Sequence, residues 1–241
     1  MNALLEIRSL TKSYGKLKAI DGVSFSIREG EILGLIGPNG SGKTTIFECL
    51  GGILPADAGE VLQNGQPLTK AERSSTLFYL PDTIAPWPAQ TVGWALDFTL
   101  GLFRGRYEHR EDVIGRLQLT SLLHRPIGEL SKGQRKRALL AIGLLMPQPL
   151  LIADEPFEGL DLRQTRDIAL ALRSYAGLER RTMLLSIHQI SDAARVCDRF
   201  VLLSGGKICG EGTLDELSAL VASRNGVAPY TDLEEVFLAL T

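Results

Sequence analysis

An α/β fold built around a parallel sheet is predicted by three short apolar runs, 32–36, 150–153 and 183–187, each continuous rather than alternating and each followed by polar residues. Runs of this length suit strands buried on both faces, as happens where helices cover a parallel sheet. A second pattern opens the chain: 4–9 and 23–27 alternate apolar and polar residues, and Asn64-Gly65 between Val61 and Leu68 is a hairpin signal, which together predict an N-terminal antiparallel sheet. From Pro81 to Met146 the apolar spacing turns helical, through Val113, Leu117 and Leu119 to Leu123 and then the run after Ser131. An inserted α-helical part is expected there. Ser204-Gly205-Gly206-Lys207 joins two further strand-like runs, and Leu233 to Leu240 reads as a short amphipathic helix. The 241 residues accommodate all this as one domain, with a core over about 1–81 and 147–241 and a helical part over about 82–146.

The composition narrows the partners. Hydrophobic residues at 44% and charged residues at 22% are ordinary for a globular chain, and a net charge of −2 gives no basic excess for neutralising a phosphate backbone. Nucleic acid is therefore not expected as the main partner, with Arg135-Lys136-Arg137 the one local basic cluster. Cys49, Cys197 and Cys209 are scattered and show no metal-binding spacing, which fits a reducing compartment. No run reaches the roughly 18 to 20 apolar residues that cross a bilayer, and the opening MNALLEIRSL has no charged lead segment, so any membrane role is expected to come through a partner.

Gly37-Pro38-Asn39-Gly40-Ser41-Gly42-Lys43-Thr44 fits the pattern G-x-x-x-x-G-K-[ST], between the apolar run 32–36 and the helical Thr45-Ile46-Phe47-Glu48-Cys49-Leu50. Glycines in such a loop let backbone N–H groups wrap phosphates, and the following helix adds its positive dipole end. Lys43 is expected at the β- and γ-phosphates and the Thr44 hydroxyl at Mg²⁺. The run 150–153 ends in Asp154-Glu155, at the carboxyl end of a strand, where open parallel sheets bind ligands. Asp154 is a natural anchor for Mg²⁺, and Glu155 is placed to polarise an attacking water. His188 follows the third run in the same way and is expected to hydrogen-bond the γ-phosphate, whereas His109 and His124, in the helical region, are expected to lack acidic or cysteine partners and to be structural.

A second phosphate grip is suggested by Glu129-Leu130-Ser131-Lys132-Gly133-Gln134-Arg135. Ser131 and Gln134 fit the S-x-x-Q capping box that starts a helix. The same capped start, with Gly133 beside it, exposes N–H donors to an anion. Spacing leaves both readings open, and a second grip makes sense only if it faces a different nucleotide.

The order of these motifs resembles that of the ATP-binding cassette (ABC) transporter ATPases along nearly the whole chain. The resemblance implies a P-loop NTPase (RecA-like) core in which residues 37–45 form the Walker A loop, with Gly37, Pro38, Asn39, Gly40, Ser41, Gly42, Lys43, Thr44 and Thr45 at ATP. It also implies that Leu130 to Gln134 (LSKGQ, commonly LSGGQ) is the family's signature motif and that Leu150 to Glu155 is the Walker B strand. Leu160-Asp161 would be the D-loop, His188 the switch histidine and Tyr14 the ring that stacks on adenine. Two ATPase domains of this family meet head to tail, so Ser131, Gly133 and Gln134 of one copy are expected over the ATP held by Lys43 of the other.

The closing Asp232-Leu233-Glu234-Glu235-Val236-Phe237-Leu238-Ala239-Leu240-Thr241, the Lys132 variant and Tyr79-Leu80-Pro81-Asp82 resemble ATPase subunits of bacterial ABC-2-type exporters. Asp82 departs from the Gln or Glu usual at its position. It is expected to reach Mg²⁺ through water while adding negative charge beside Asp154 and Glu155. Trp87, Trp94 and the prolines Pro81, Pro86 and Pro88 read equally as local packing or as a docking surface for a membrane permease. The implied partners are a second copy or a homologous ATPase subunit and integral membrane permease subunits, at the cytoplasmic face of the membrane. The competing reading is an ABC-type ATPase not tied to transport, such as a cluster-assembly ATPase. A chromosome-maintenance relative needs a long coiled coil for which the interval from Lys43 to Ser131 has no room. A non-hydrolysing switch is disfavoured by Glu155 and His188 together.

Overall fold

The computed structural model describes residues 3–82, 84–225 and 230–241. The chain opens with the antiparallel hairpin β1 (Ala3–Tyr14) and β2 (Leu17–Arg28) and then enters the buried strand β3 (Ile32–Ile36). Helix α1 (Lys43–Leu50) follows, then β4 (Ala58–Gln63) and β5 (Gln66–Pro67), turned by Asn64 and Gly65, both with positive φ. Helix α2 (Lys70–Thr76) starts with a Thr69–Glu72 capping box and leads into β6 (Leu77–Leu80). The next stretch holds α3 (Val92–Phe103), α4 (Arg110–Arg116) and α5 (Lys132–Leu145), with short 3-10 turns at Tyr107–His109, Thr120–Leu122 and Ile127–Glu129. The chain then alternates through β7 (Leu150–Ala153), α6 (Leu162–Glu179), β8 (Thr182–Ile187), α7 (Ile190–Val196), β9 (Arg199–Ser204) and β10 (Lys207–Gly212). Helices α8 (Leu214–Asn225) and α9 (Leu233–Leu240) end it.

Two sheets result. One is antiparallel, in the order β2-β1-β4-β5; the other runs β10-β9-β3-β8-β7-β6, parallel throughout except for the β9–β10 hairpin at one edge. The continuous apolar runs are explained by two cores. On β3, Ile32 and Ile36 face the helical side with Leu96, Leu145 and Leu172, while Leu33 and Leu35 face the antiparallel sheet with Leu5, Ile7 and Phe47. β7 and β8 divide in the same way, with Leu151 and Leu185 on one side and Ile152 and Leu184 on the other. Helix α5 reaches both the helical stretch and the sheet, because Gly143 lets Leu80 of β6 and Leu151 of β7 close against its backbone. β6 itself is an addition to the sequence reading, which took Leu77–Leu80 for no strand.

The two sheets are also tied by charge. The buried Arg199 guanidinium on β9 contacts both oxygens of buried Glu31, at 3.0 and 3.1 Å, and Glu211 Oε1 on β10 at 2.6 Å. Glu211 in turn accepts the Ser26 N–H of β2. Arg199→Leu strands two carboxylates without their cation and is expected to destabilise the protein by about 3–5 kcal/mol, read from urea unfolding.

Candidate functional site

β3, β8 and β7 are neighbours and parallel, so their carboxyl ends open on the same side of the sheet. Each is followed by one of the expected motifs: the glycine loop after β3, Asp154-Glu155 after β7 and His188 after β8. They converge on a cleft of about 530 Å³ lined by Asn39, Gly40, Gly42, Lys43, Thr44, Thr45, Asp82, Asp154, Glu155 and His188. Leu17 to Ala19 and Gly205-Gly206 complete its wall.

The loop geometry follows from its glycines. Gly42 has φ +106°, and a Cβ there would come within 2.5 Å of the Ala19 carbonyl oxygen, so only glycine fits. Helix α1 begins directly after it with no side-chain cap, which leaves its first N–H groups for an anion. The Lys43 ammonium is buried, donates to Gly37 O at 2.8 Å and Pro38 O at 3.3 Å, and lies 3.6 Å from Glu155 Oε1. The Ser41 hydroxyl is buried in the loop with no hydrogen-bond partner among the described residues, an orphan that an incoming phosphate oxygen would satisfy.

The acidic side is equally ordered. Thr44 Oγ1 donates to Asp154 Oδ2 at 2.8 Å, a hydroxyl and carboxylate pair whose hard oxygens suit Mg²⁺. Ser186, fully buried on β8, donates to Asp154 Oδ1 and accepts the Glu155 N–H at 2.8 Å. Glu155 has φ +48°, a left-handed conformation costly for a residue with a Cβ and typical of functional sites. Burial raises its carboxyl above the ordinary glutamate value, and the Lys43 ammonium works against that rise. Asp82 lines the cleft, but its Oδ1 is held at 2.5 Å by the buried Lys136 ammonium of α5, which also donates to Asp154 O at 3.2 Å. Sequence reasoning missed both Ser186 and Lys136. The helical period carried a signal for Lys136, which shares the buried stripe of Gly133 and Leu140.

The other expected residues lie apart from this cleft. Tyr14 is exposed at the end of β1, opposite Leu17 of the cleft wall, and Gly37, Pro38 and Ser41 lie on the loop behind the lining residues. The capping box at the start of α5 is fully formed: Ser131 Oγ accepts the Gln134 N–H and Gln134 Oε1 accepts the Ser131 N–H. Ser131 is exposed there, outside the lining of the Lys43 cleft. Gly133 is buried against Leu160 and Gln164, with 3.0 and 2.9 Å left for a Cβ. Asp161 caps α6 by accepting the Gln164 N–H, and it lines a second, adjacent cavity of about 400 Å³ with Glu155 and His188. In the segment between Asp82 and Trp94, Thr83 lies outside the described residues. Trp87, Trp94 and Phe98 form an aromatic cluster, Trp94 stacked on Phe98 at 4.7 Å and Trp87 edge-on to both, each still 37–40% exposed. Among the described residues no helix is long and apolar enough to cross a membrane.

A family profile described as ABC transporter matches residues 20–158. Over 98% of its length the chain is 31% identical to the probable multidrug ABC transporter ATP-binding protein YbhF of Escherichia coli, though it spans only 41% of that protein. It is 32% identical to the energy-coupling factor transporter ATP-binding protein EcfA of Methanoculleus marisnigri, covering 95% of this chain and 88% of the relative. It is 31% identical to the SkfA peptide export ATP-binding protein SkfE of Bacillus subtilis, at 85% and 87% coverage. Among solved structures, an ATP-binding subunit of an ABC transporter superposes with a TM-score of 0.85 at 27% identity over 98% of this chain and 99% of the other. The chain belongs to the ABC transporter family and carries its ATP-binding domain.

Proposed function

We propose that the chain binds and hydrolyses ATP with Mg²⁺ as one half of a nucleotide-sandwich dimer that drives a separate membrane permease. The observation that carries this reading is the meeting of Lys43, Thr44, Asp154, Glu155 and His188 in one cleft at the carboxyl ends of three parallel strands. The backbone of residues 37–45 wraps the phosphates, Lys43 leaves its loop carbonyls for the β- and γ-oxygens, and Tyr14 stacks on adenine. Thr44 and Asp154 would hold Mg²⁺, which would supply neutralisation of phosphate charge. Asp82, with one carboxylate oxygen left free by Lys136, would add a further acceptor for the hydrated ion. Glu155 orients the attacking water and takes its proton while the water oxygen bonds to the γ-phosphorus and the bond to ADP breaks. His188 hydrogen-bonds the γ-phosphate.

Ser131, Gly133 and Gln134 serve the nucleotide of the second copy. What supports this is the capped helix start they form, with Ser131 exposed and outside the cleft that holds Lys43. Asp161 lines the adjacent cavity, which shares Glu155 and His188 with the Lys43 cleft, and serves the same interface. The permease docks over the aromatic cluster of Trp87, Trp94 and Phe98, which puts the chain at the cytoplasmic face of the membrane. The close of the chain, Asp232 to Thr241, favours an ABC-2-type exporter.

Ser131→Gly separates the two readings of the opening of α5. Glycine is nearly as good a cap as serine, so stability should fall by only a few tenths of a kcal/mol. Steady-state ATPase activity should nevertheless fall on the order of 10-fold or more, because a hydrogen bond to a charged phosphate oxygen is lost. Parental activity in this variant would reduce the motif to a helix cap.

A further inference from the structure

Lys136 is a buried cation on the first turns of α5, turned inward from a basic triplet. Its ammonium makes two contacts, one to the Asp82 carboxylate after β6 and one to the Asp154 carbonyl oxygen at the end of β7. That carbonyl belongs to the peptide linking Asp154 to Glu155. The N–H of the same peptide is taken by Ser186 of β8. One peptide group is thus gripped at both ends, from a helix on one side and a strand on the other. The residue that follows it, Glu155, is the one held in a left-handed conformation.

We propose that Lys136 is a positioning residue for ATP hydrolysis, clamping the Asp154–Glu155 peptide against Ser186 so that the Glu155 carboxylate is aimed into the cleft. This rests on the role given to Glu155 above. A left-handed Glu persists only where its surroundings over-determine it, and the two hydrogen bonds to its own peptide are the restraint seen here. The same ammonium neutralises Asp82, which would otherwise add to the negative charge of Asp154, Glu155 and Glu158 along the cleft. Lys136 also stands on the helix that Ser131 opens, so the aim of Glu155 is tied to the position of the motif that faces the second copy.

The clamp and the neutralisation are separable. Lys136→Met removes both, and Asp82 is left without its cation, so the melting temperature should drop. The turnover number should fall on the order of 10- to 100-fold, the usual cost of a misplaced catalytic group. ATP affinity, read by titration with a fluorescent nucleotide, should stay near parental. Asp82→Asn alone keeps the clamp and sets the cost of losing that carboxylate; in Asp82→Asn/Lys136→Met the orphaned charge is gone, so the melting temperature should recover while the turnover number stays well below that of Asp82→Asn. Recovery of turnover in step with stability, or parental turnover in Lys136→Met, would overturn the clamp. Glu155→Gln measured alongside keeps the two ideas apart: parental turnover there rejects the reading of the site itself, whereas its loss together with an active Lys136→Met rejects only Lys136 as a positioning residue.

Discussion

Glu155→Gln is expected to retain ATP binding and to lose turnover by about 10²- to 10⁴-fold, the range associated with removing a general base. The side chain keeps its shape and its place beside Lys43, so the phosphate cradle is undisturbed. What disappears is the acceptor for the water proton. Bound nucleotide then outlasts many parental turnovers, and the closed pair should accumulate as an ATP-dependent dimer on size-exclusion chromatography. A variant that hydrolyses ATP like the parent, or that stays monomeric with ATP bound, contradicts the role given to Glu155. Its raised proton affinity, caused by burial, belongs to the same picture of a carboxylate kept partly out of water.

Lys43→Ala should act earlier, on binding. Its ammonium is buried between the loop carbonyls of Gly37 and Pro38 and the Glu155 carboxylate, a position from which it meets incoming phosphate oxygens without leaving the cleft. Losing one charge-assisted hydrogen bond removes about 1.5–3 kcal/mol, or roughly 10- to 150-fold in ATP affinity, and Glu155 also loses its only cation within salt-bridge distance among the described residues. Nucleotide titration by calorimetry checks this, and unchanged affinity would refute it. The two variants together divide the site: one acid for chemistry, one cation for binding.

Much of this site was legible because its chemistry sits at the ends of strands buried on both faces. Ile32–Ile36, Leu150–Ala153 and Thr182–Ile187 announce themselves by mainly apolar residues without alternation, and the polar residues that follow each have few structural reasons to be there. β6 was not legible. It is four residues long, only partly buried at Phe78 and Tyr79, and lies at a sheet edge where it pairs with β7 alone. Helix α5, by contrast, starts at Lys132, where the capping box places Ser131 immediately before the first turn.

Lys136 shows a different limit. Composition treats Arg135-Lys136-Arg137 as one basic cluster, yet the helix turns Lys136 inward to Asp82 and the Asp154 carbonyl while Arg137 reaches back toward Leu117 and Gln118. The expectation that Asp82 simply adds charge to the acidic side omitted this partner, which lies 54 residues away in sequence and is brought near only by the fold. Ser186 was hidden in the same way. It reads as one polar residue in an apolar strand, and only the pairing of β7 with β8 sets it beside Asp154.

In this mechanism each catalytic site is completed by two copies of the chain. ATPase rate per molecule across a dilution series tests this most directly: it should fall steadily as the protein is diluted, because half of each site is lost with the partner. A rate per molecule that stays constant down to concentrations at which sedimentation shows only monomers would contradict it.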